Sequence, residues 1–253
     1  MSIMSPSFLR LAAAAMLTLG LAGCGKTESY RYKLTLAVNT PEGVKRASSV
    51  AEVQFYDVSF PERGTKHKLW GEALYLDLGP GARPLIALLT SRLASQLRPK
   101  DSKDRSWQLG KAGWSLEAGP GITQMSRIYG LALSKDFMDD VPRIARMRGP
   151  HAITPADLPD LVTFADINDP KSVIEIDPND LQATLGPNIT WNEITLESTD
   201  EPITTGIRTK LPWLTEYFQG NLRLDGSQFG DKRALANILS WFDFDRSGMK
   251  RTR

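Results

Sequence analysis

The densest group of side chains able to do chemistry is a run of carboxylates between residues 157 and 180. Two carboxyl groups at a defined separation can hydrolyse a glycosidic bond, one as the acid and the other as base or nucleophile. Asp166 and Asp169 follow a predicted strand and could instead offer oxygen ligands to a cation. Asp169 and Asp177 precede proline, however, a pattern typical of helix caps, and the sequence favours this structural role. The full set is Asp157, Asp160, Asp166, Asp169, Glu175, Asp177 and Asp180.

The two histidines of the chain do not form a recognisable catalytic or zinc-binding pattern. His67 lies in a Lys-His-Lys segment predicted to be a charged turn, and His151 follows Gly149-Pro150. A serine hydrolase needs a serine, a base and an orienting acid in one place, and no serine here sits in a Gly-x-Ser-x-Gly elbow. No His-Glu-x-x-His motif or zinc-spaced His/Cys pair occurs. We therefore predict no metal, no cofactor and no catalytic residue, which weighs against an enzyme.

Residues 243–248, Asp-Phe-Asp-Arg-Ser-Gly, copy the opening of an EF-hand calcium loop. Oxygen-bearing side chains occupy the first, third and fifth loop positions and glycine the sixth. The bidentate carboxylate that closes such a loop would fall beyond Arg253, the last residue. The sequence therefore favours a turn that leads into a basic C-terminal tail over residues 246–253, either solvated or in contact with anionic lipid.

The only cysteine, Cys24, follows an apolar segment near the N-terminus. Residues 1–10 carry a single positive charge, on Arg10, and residues 11–21 read LAAAAMLTLGL. These are the first two regions of a secretory signal. The apolar run is shorter than the roughly 20 residues that a membrane-spanning helix needs. We therefore predict a cleaved signal peptide over residues 1–23.

Leu21-Ala22-Gly23-Cys24 resembles the lipobox of bacterial lipoproteins. The resemblance implies a diacylglycerol on the sulfur of Cys24, cleavage just before it, and acylation of the new amine, commonly with palmitate. Two or three acyl chains anchor a protein firmly, since each buried methylene contributes about 0.8 kcal/mol. Lipidation would also remove the reactive lone thiol of an exported protein. The alternative is an ordinary cleaved signal followed by a chance cysteine.

Gly25 follows the cysteine of the lipobox. In the sorting rule of this family, aspartate at that position retains the protein in the inner membrane, so glycine implies the outer membrane, with the body facing the periplasm. Membrane lipid, reached through acylated Cys24, is then the first partner.

Length and charge limit the remaining possibilities. Cleavage before Cys24 would remove 23 of the 253 residues and leave 230, enough for one large domain or two small ones. We predict a tether over residues 24–29 and a single domain over residues 30–245. The 31 basic and 29 acidic residues nearly balance, which gives no electrostatic reason to expect nucleic acid as a partner.

Alternation of apolar and polar residues in the first third predicts an antiparallel meander. A strand over residues 30–39 has every second residue apolar, and Thr40-Pro41-Glu42-Gly43 is typical of a turn. A second strand over residues 49–60 changes its apolar face between Phe55 and Tyr56, which suggests a bulge. A third strand is predicted over residues 69–78.

The sequence pattern predicts the secondary structure of residues 84–148 less clearly. Leucines four apart in residues 84–97 predict a helix, with a strand over residues 85–89 as the alternative. Residues 98–121 are polar and glycine-rich, which favours a long loop that is mobile or faces a ligand. A helix is predicted over residues 134–148, kinked or delayed by Pro142.

The second half combines short strands with capped turns. Strands are predicted over residues 161–165, 173–176 and 189–197, and a short helix over residues 203–211. Three capping residues followed by proline, at Thr154, Asp169 and Asp177, predict local helix starts; the last of these helices ends at Gly186. Together these patterns predict an α+β fold, mainly an antiparallel sheet with a few short helices.

Tryptophans could line a groove for sugar or peptide, although packing is their commoner use. The four considered are Trp107, Trp114, Trp213 and Trp241.

Segments such as GEALYLDLG and LVTFADINDPKSV resemble parts of uncharacterised exported proteins of proteobacteria, a resemblance that implies no activity. We predict a lipid-anchored cell-envelope protein that binds or scaffolds an envelope protein or glycan without catalysis. The competing hypothesis is a carbohydrate-active hydrolase that uses two carboxylates of residues 157–180. It requires two of them to converge in a cleft.

Overall fold

The computed structural model describes residues 26–58, 64–93, 125, 137–230 and 234–249. Cys24 with the predicted signal peptide, and the predicted loop over residues 98–121 with Trp107 and Trp114, lie outside these ranges. The described strands are β1 (Thr27–Thr40), β2 (Gly43–Val58), β3 (Gly64–Trp70), β4 (Leu74–Leu76), β5 (Leu85–Ala87), β6 (His151–Ala152), β7 (Leu161–Phe164), β8 (Val173–Ile176) and β9 (Thr190–Thr199). The described α-helices are α1 (Val141–Arg146), α2 (Gln182–Leu185), α3 (Ile207–Lys210), α4 (Leu214–Gly220) and α5 (Leu235–Ile238).

These strands form two antiparallel sheets. Sheet 1 has the order β3-β2-β1-β9-β6, and sheet 2 has the order β4-β5-β7-β8. The predicted α+β class, mainly antiparallel sheet with short helices, is confirmed. No helix among the described residues is both long and apolar enough to cross a lipid bilayer.

The alternation predicted for the first strand is confirmed in β1. Its inner face carries buried Tyr30, Tyr32, Leu34, Leu36 and Val38. The hairpin to β2 turns at Pro41-Glu42, and Gly43 adopts a positive φ of 117° that favours glycine.

The bulge predicted in the second strand is wrong. β2 pairs with β1 in continuous register from Tyr56 opposite Thr27 to Gly43 opposite Thr40. The irregularity lies instead where β1 meets β9, between Ala37 and Val38. Tyr56 lies in regular register on the outer face, where Lys68 Nζ is 5.0 Å from the centroid of its ring.

The third predicted strand, residues 69–78, is two strands in two sheets. β3 pairs with β2 in sheet 1, so the predicted three-strand meander is present. The strand ends before Gly71, however, and β4 belongs to sheet 2. Gly71 has a φ of 145°, and a Cβ there would lie 2.7 Å from the Cβ of Ala51. The close crossing of β2 therefore requires glycine.

The prediction of a helix over residues 84–97 is wrong for the described residues 84–93. The alternative, a strand over residues 85–89, is confirmed by β5. β5 pairs with β4 and β7, and its three residues are all buried. Strand β5 is buried because sheet 2 has apolar layers on both faces. Such a strand shows no alternation in its sequence.

The core has two parts, one on each side of sheet 2. The first, between sheets 1 and 2, also receives Val141 and Ile144 of α1. The second lies between sheet 2 and the C-terminal helices, and includes Phe164, Trp213 and Phe244. The described fold therefore has three layers: sheet 1, sheet 2 and helices.

Several local predictions hold with adjusted boundaries. A 3₁₀-helix (Phe137–Asp139) precedes α1, and Pro142 lies in the first turn of α1, so the proline delays the helix as predicted. Helix α2 begins at Gln182, later than predicted, because the Asp177 side chain accepts from Asn179 N in a separate turn. Asp180 instead accepts from Ala183 N at the start of α2.

Candidate functional site

A largely buried cluster of ionisable groups lies where residues 243–246 meet both sheets. Leu89 N donates to the carbonyl of Asp243 (3.0 Å), Ala73 N to that of Phe244 (2.8 Å), and Arg246 N to that of Gly71 (2.8 Å). Backbone bonds thus fix this segment against the β3–β4 connection and the end of β5. Its side chains form a cluster that we call the junction: Glu72, Arg92, Arg208, Asp243, Asp245 and Arg246.

Asp243 is the most enclosed carboxylate of the junction, with no exposed side-chain surface. Its Oδ1 accepts from the Thr90 hydroxyl (2.8 Å) and lies 2.7 Å from Arg92 Nε. Its Oδ2 accepts from the backbone N–H and the hydroxyl of Ser240 (2.9 and 3.2 Å), which closes a capping box. Both oxygens are therefore engaged by the protein itself.

Glu72 and Asp245 are brought together by an isolated antiparallel bridge. Asp245 Oδ2 accepts from Arg208 Nε (2.5 Å), and its Oδ1 accepts from the N–H and hydroxyl of Ser247 (2.8 and 2.7 Å). Glu72 Oε2 accepts from Ile207 N (2.8 Å), and its Oε1 accepts from the Ser247 hydroxyl (3.3 Å). The two carboxylates thus hold the start of α3 against the C-terminal segment.

Arg246 is 5% exposed, although the sequence placed it at the start of a tail. Its Nε donates to the carbonyl of Phe242 (2.9 Å), and its guanidinium lies 3.7 Å from the Phe242 ring centroid. A 3₁₀-helix, Ser247–Met249, follows it. Arg246 is therefore part of the folded body.

Burial dominates the electrostatics of the junction. It raises the pKa of Glu72, an effect that the nearby Asp245 carboxylate reinforces and the N–H groups of Ile207 and Gly206 oppose. Burial also lowers the pKa of Arg246 to about 10, against the opposing influence of Asp243. Three carboxylates and three guanidinium groups balance the formal charge of the cluster.

The resemblance of residues 243–248 to a calcium loop does not extend to a cation site. Asp243 and Asp245 accept from different internal donors and do not converge on a shared point. Among the described residues, no group of three His, Cys, Asp or Glu side chains is placed to hold a metal ion. The turn predicted here is instead a buried 3₁₀-helix (Trp241–Asp243) and the chain that follows it.

Neither the known protein families, nor the curated proteins, nor the solved structures contain a match to this chain.

The carboxylates of residues 157–180 are dispersed among local structural roles. Asp157 accepts from the N–H and hydroxyl of Thr154, and buried Asp160 accepts from Leu93 N (2.9 Å). Asp166 and Asp169 accept from backbone N–H groups two residues further along in exposed turns. Glu175 is exposed on β8, and Asp177 and Asp180 are exposed at the turns before α2. The structural role favoured for Asp169 is confirmed, and the hydrolase hypothesis gains no support from these contacts.

The histidines and the described tryptophans are also placed by packing. His67 lies on β3 rather than in a turn, 6.0 Å from the Phe55 ring. His151 lies on β6 opposite Leu196. Trp213 and Trp241 are each 8% exposed in the second core, so they do not line an open groove.

The contacts of the junction connect the two sheets to α3 and the C-terminal segment. Beside Glu72 and Tyr32, a cavity of about 10 Å³ lies between the sheets, room for about one water molecule. Sequence reasoning missed the junction because Glu72 and Asp245 are far apart in the chain. The available signal was Ser240-x-x-Asp243, a capping pattern that marks Asp243 as a structural acceptor.

Proposed function

We propose that this chain is a lipid-anchored protein of the bacterial envelope, held in the outer membrane by acylated Cys24 and facing the periplasm. In this proposal the body binds or scaffolds an envelope protein or glycan without catalysis. The observation that carries the proposal is the position of Cys24, the only cysteine, three residues before the first residue of β1.

The position matters because β1 is an interior strand of sheet 1. It pairs with β2 over its whole length and with β9 from Arg31 to Asn39. The carbonyl of Lys26 also accepts from Asp57 N (3.1 Å), so the backbone is already bonded to β2 two residues after the cysteine. An anchor at Cys24 would therefore connect the lipid to the middle of a five-stranded sheet through a short link.

The commitment of ionisable side chains to structure supports a non-catalytic body. In the described chain, the buried carboxylates Asp157, Asp160 and Asp243 all accept hydrogen bonds from other groups of the protein. A catalytic acid or base must reach a bound substrate. Asp243 has no exposed surface, and its two oxygens are already engaged by three hydrogen bonds and the ion pair with Arg92.

Mass spectrometry of the N-terminal peptide from the membrane fraction tests the proposal. The expected peptide begins at Cys24 and carries the mass of a diacylglycerol and an amide-linked acyl chain. The Cys24→Ala variant should be absent from the membrane fraction that detergent dissolves and should be found in the soluble fraction. A wild-type peptide without acyl mass, or one cleaved elsewhere, would overturn the proposal.

A further inference from the structure

Glu72 is a buried acidic residue without a cationic partner in the described chain. It is 4% exposed, and no described lysine, arginine or histidine forms an ion pair with it. The charged group that acts on it, Asp245, has the same sign and is itself paired with Arg208. A buried carboxylate that lacks a counter-charge is costly, and such a group commonly takes up a proton instead.

The hydroxyl of Ser247 lies between the two carboxyl groups. Its Oγ is 2.7 Å from Asp245 Oδ1 and 3.3 Å from Glu72 Oε1. Both oxygens are within hydrogen-bonding distance, but a hydroxyl has one proton and donates it to only one of them. The shorter contact has the length of a charge-assisted bond and assigns that proton to Asp245. Glu72 Oε1 then faces the lone pairs of Ser247 Oγ, where only a protonated carboxyl group forms a hydrogen bond.

The other oxygen of Glu72 is satisfied in either protonation state. Oε2 accepts from Ile207 N (2.8 Å), and the N–H of Gly206 also bonds to this carboxyl group. A neutral carboxyl group keeps one carbonyl oxygen for such donors while the other oxygen carries the proton. The geometry therefore suits a protonated Glu72 that accepts from the start of α3 and donates to the C-terminal segment.

The other ionisable side chains of the junction and of the cavity beside it are Tyr32, Arg92, Arg208, Asp243, Asp245 and Arg246. Arg92 pairs with Asp243, Arg208 pairs with Asp245, and Arg246 Nε donates to a backbone carbonyl, so none of these cations neutralises Glu72. Burial raises the pKa of Tyr32 above its ordinary value of 10.0, which keeps its hydroxyl neutral. Burial and Asp245 also raise the pKa of Glu72, whereas a hydroxyl that donated to Glu72 would lower it.

We propose that Glu72 is protonated in the folded protein under acidic conditions and donates to Ser247 Oγ, and that loss of this proton loosens the 3₁₀-helix Ser247–Met249 from the β3–β4 connection. The ionised form has no proton to donate and repels Asp245 across the antiparallel bridge. It still holds the start of α3, because an anionic oxygen accepts more strongly from backbone N–H groups. Glu72 is therefore a proton-dependent latch for the C-terminal segment. This inference does not depend on the acylation of Cys24.

NMR of side-chain carboxyl carbons tests the direction of the hydrogen bond. Full-length protein labelled at its glutamate carboxyl groups is titrated in detergent micelles, and the Glu72 signal is assigned by its absence from Glu72→Gln. We expect the pKa of Glu72 to exceed 4.5. Ser247→Ala removes the acceptor of the acid proton and should lower this pKa. Thr215→Ala, which trims an exposed side chain of α4, is the matched control and should leave it unchanged.

Backbone nitrogen relaxation at Gly248 measures how firmly the segment is held. In wild type the order parameter of this amide should fall as pH rises through the pKa of Glu72. Glu72→Gln keeps a side-chain donor for Ser247 and an acceptor for Ile207, so its order parameter should stay at the acidic value at every pH. A Glu72 pKa that rises or stays constant in Ser247→Ala would refute the inference, and so would a wild-type order parameter that does not change with pH.

Discussion

The outer face of sheet 1 and the junction use the same ion-pair chemistry in opposite environments. Lys33 and Glu197, 2.9 Å apart on the outer face, retain 22% and 20% of their side-chain exposure. Arg92 and Asp243, 2.7 Å apart in the junction, retain 20% and 0%. Water screens the first kind of pair, whereas the second depends on protein groups to replace hydration. Ion pairs of similar length should therefore make very different contributions to stability.

Asp243→Asn should have the largest effect. It keeps the shape of the side chain but leaves Arg92 without its counter-charge, and breaking a buried pair from one side typically costs about 3–5 kcal/mol. Urea denaturation should show a lower midpoint at an unchanged slope. Asp200→Asn is the matched control, since Asp200 is 84% exposed and pairs with Arg148. If the two variants lost equal free energies of unfolding, buried and exposed ion pairs would contribute equally to stability and the comparison would fail.

Arg208→Gln should give an intermediate loss, because Arg208 is 33% exposed and Asp245 keeps both donors from Ser247. We expect about 1–3 kcal/mol, the range for a buried group that loses one hydrogen-bond partner. The guanidinium also lies 4.7 Å from the Phe218 ring centroid, so Arg208→Lys serves as a control that keeps charge but loses the planar contact. If Arg208→Gln lowered the free energy of unfolding as much as Asp243→Asn, partial exposure would not weaken the contribution of an ion pair in the junction.

Glu72→Gln should reveal itself in the pH dependence of stability. Burial, reinforced by Asp245, raises the pKa of Glu72 in the folded state above its ordinary value of 4.5. The folded state then binds this proton more tightly, so the group lowers stability as pH rises from 4.5 through the raised pKa. Glutamine does not titrate, so the variant lacks this pH-dependent loss of stability. Its free energy of unfolding relative to wild type should therefore increase between acidic and neutral pH, as measured by urea titrations; a flat difference would contradict the assignment.

The sequence predicted sheet 1 better than sheet 2 for a physical reason. One face of β1 is apolar and the other carries Arg31 and Lys33, so the period of two is visible. In β5, Leu85 and Ala87 face the first core while Ile86 faces the second, and the alternation disappears. The strand break at Gly71 was hidden because it depends on the approach of Ala51 across the fold.

The junction was unpredictable from the chain for a related reason. Asp243 and Asp245 have the spacing of a calcium loop, and only tertiary structure turns them toward Arg92 and Arg208. The capping roles of Asp157 and Asp169, by contrast, depend on neighbours within three residues, so local sequence was sufficient. Local acceptors can be predicted from spacing, whereas long-range ion pairs require the fold.

Lys33→Gln should have the smallest effect of the series. Lys33 donates to Glu201 (2.5 Å) and pairs with Glu197, and these hydrogen bonds raise its pKa. A raised lysine pKa stabilises the fold fully below the unfolded pKa of about 10.4 and loses that contribution only at higher pH, so the effect should be constant near neutrality. We expect a loss below about 1 kcal/mol that shrinks further as salt rises. A double-mutant cycle with Glu197→Gln, run at low and high sodium chloride, measures the pair directly. A coupling energy that equals the loss from Asp243→Asn and does not change with salt would show that the outer face behaves like the interior.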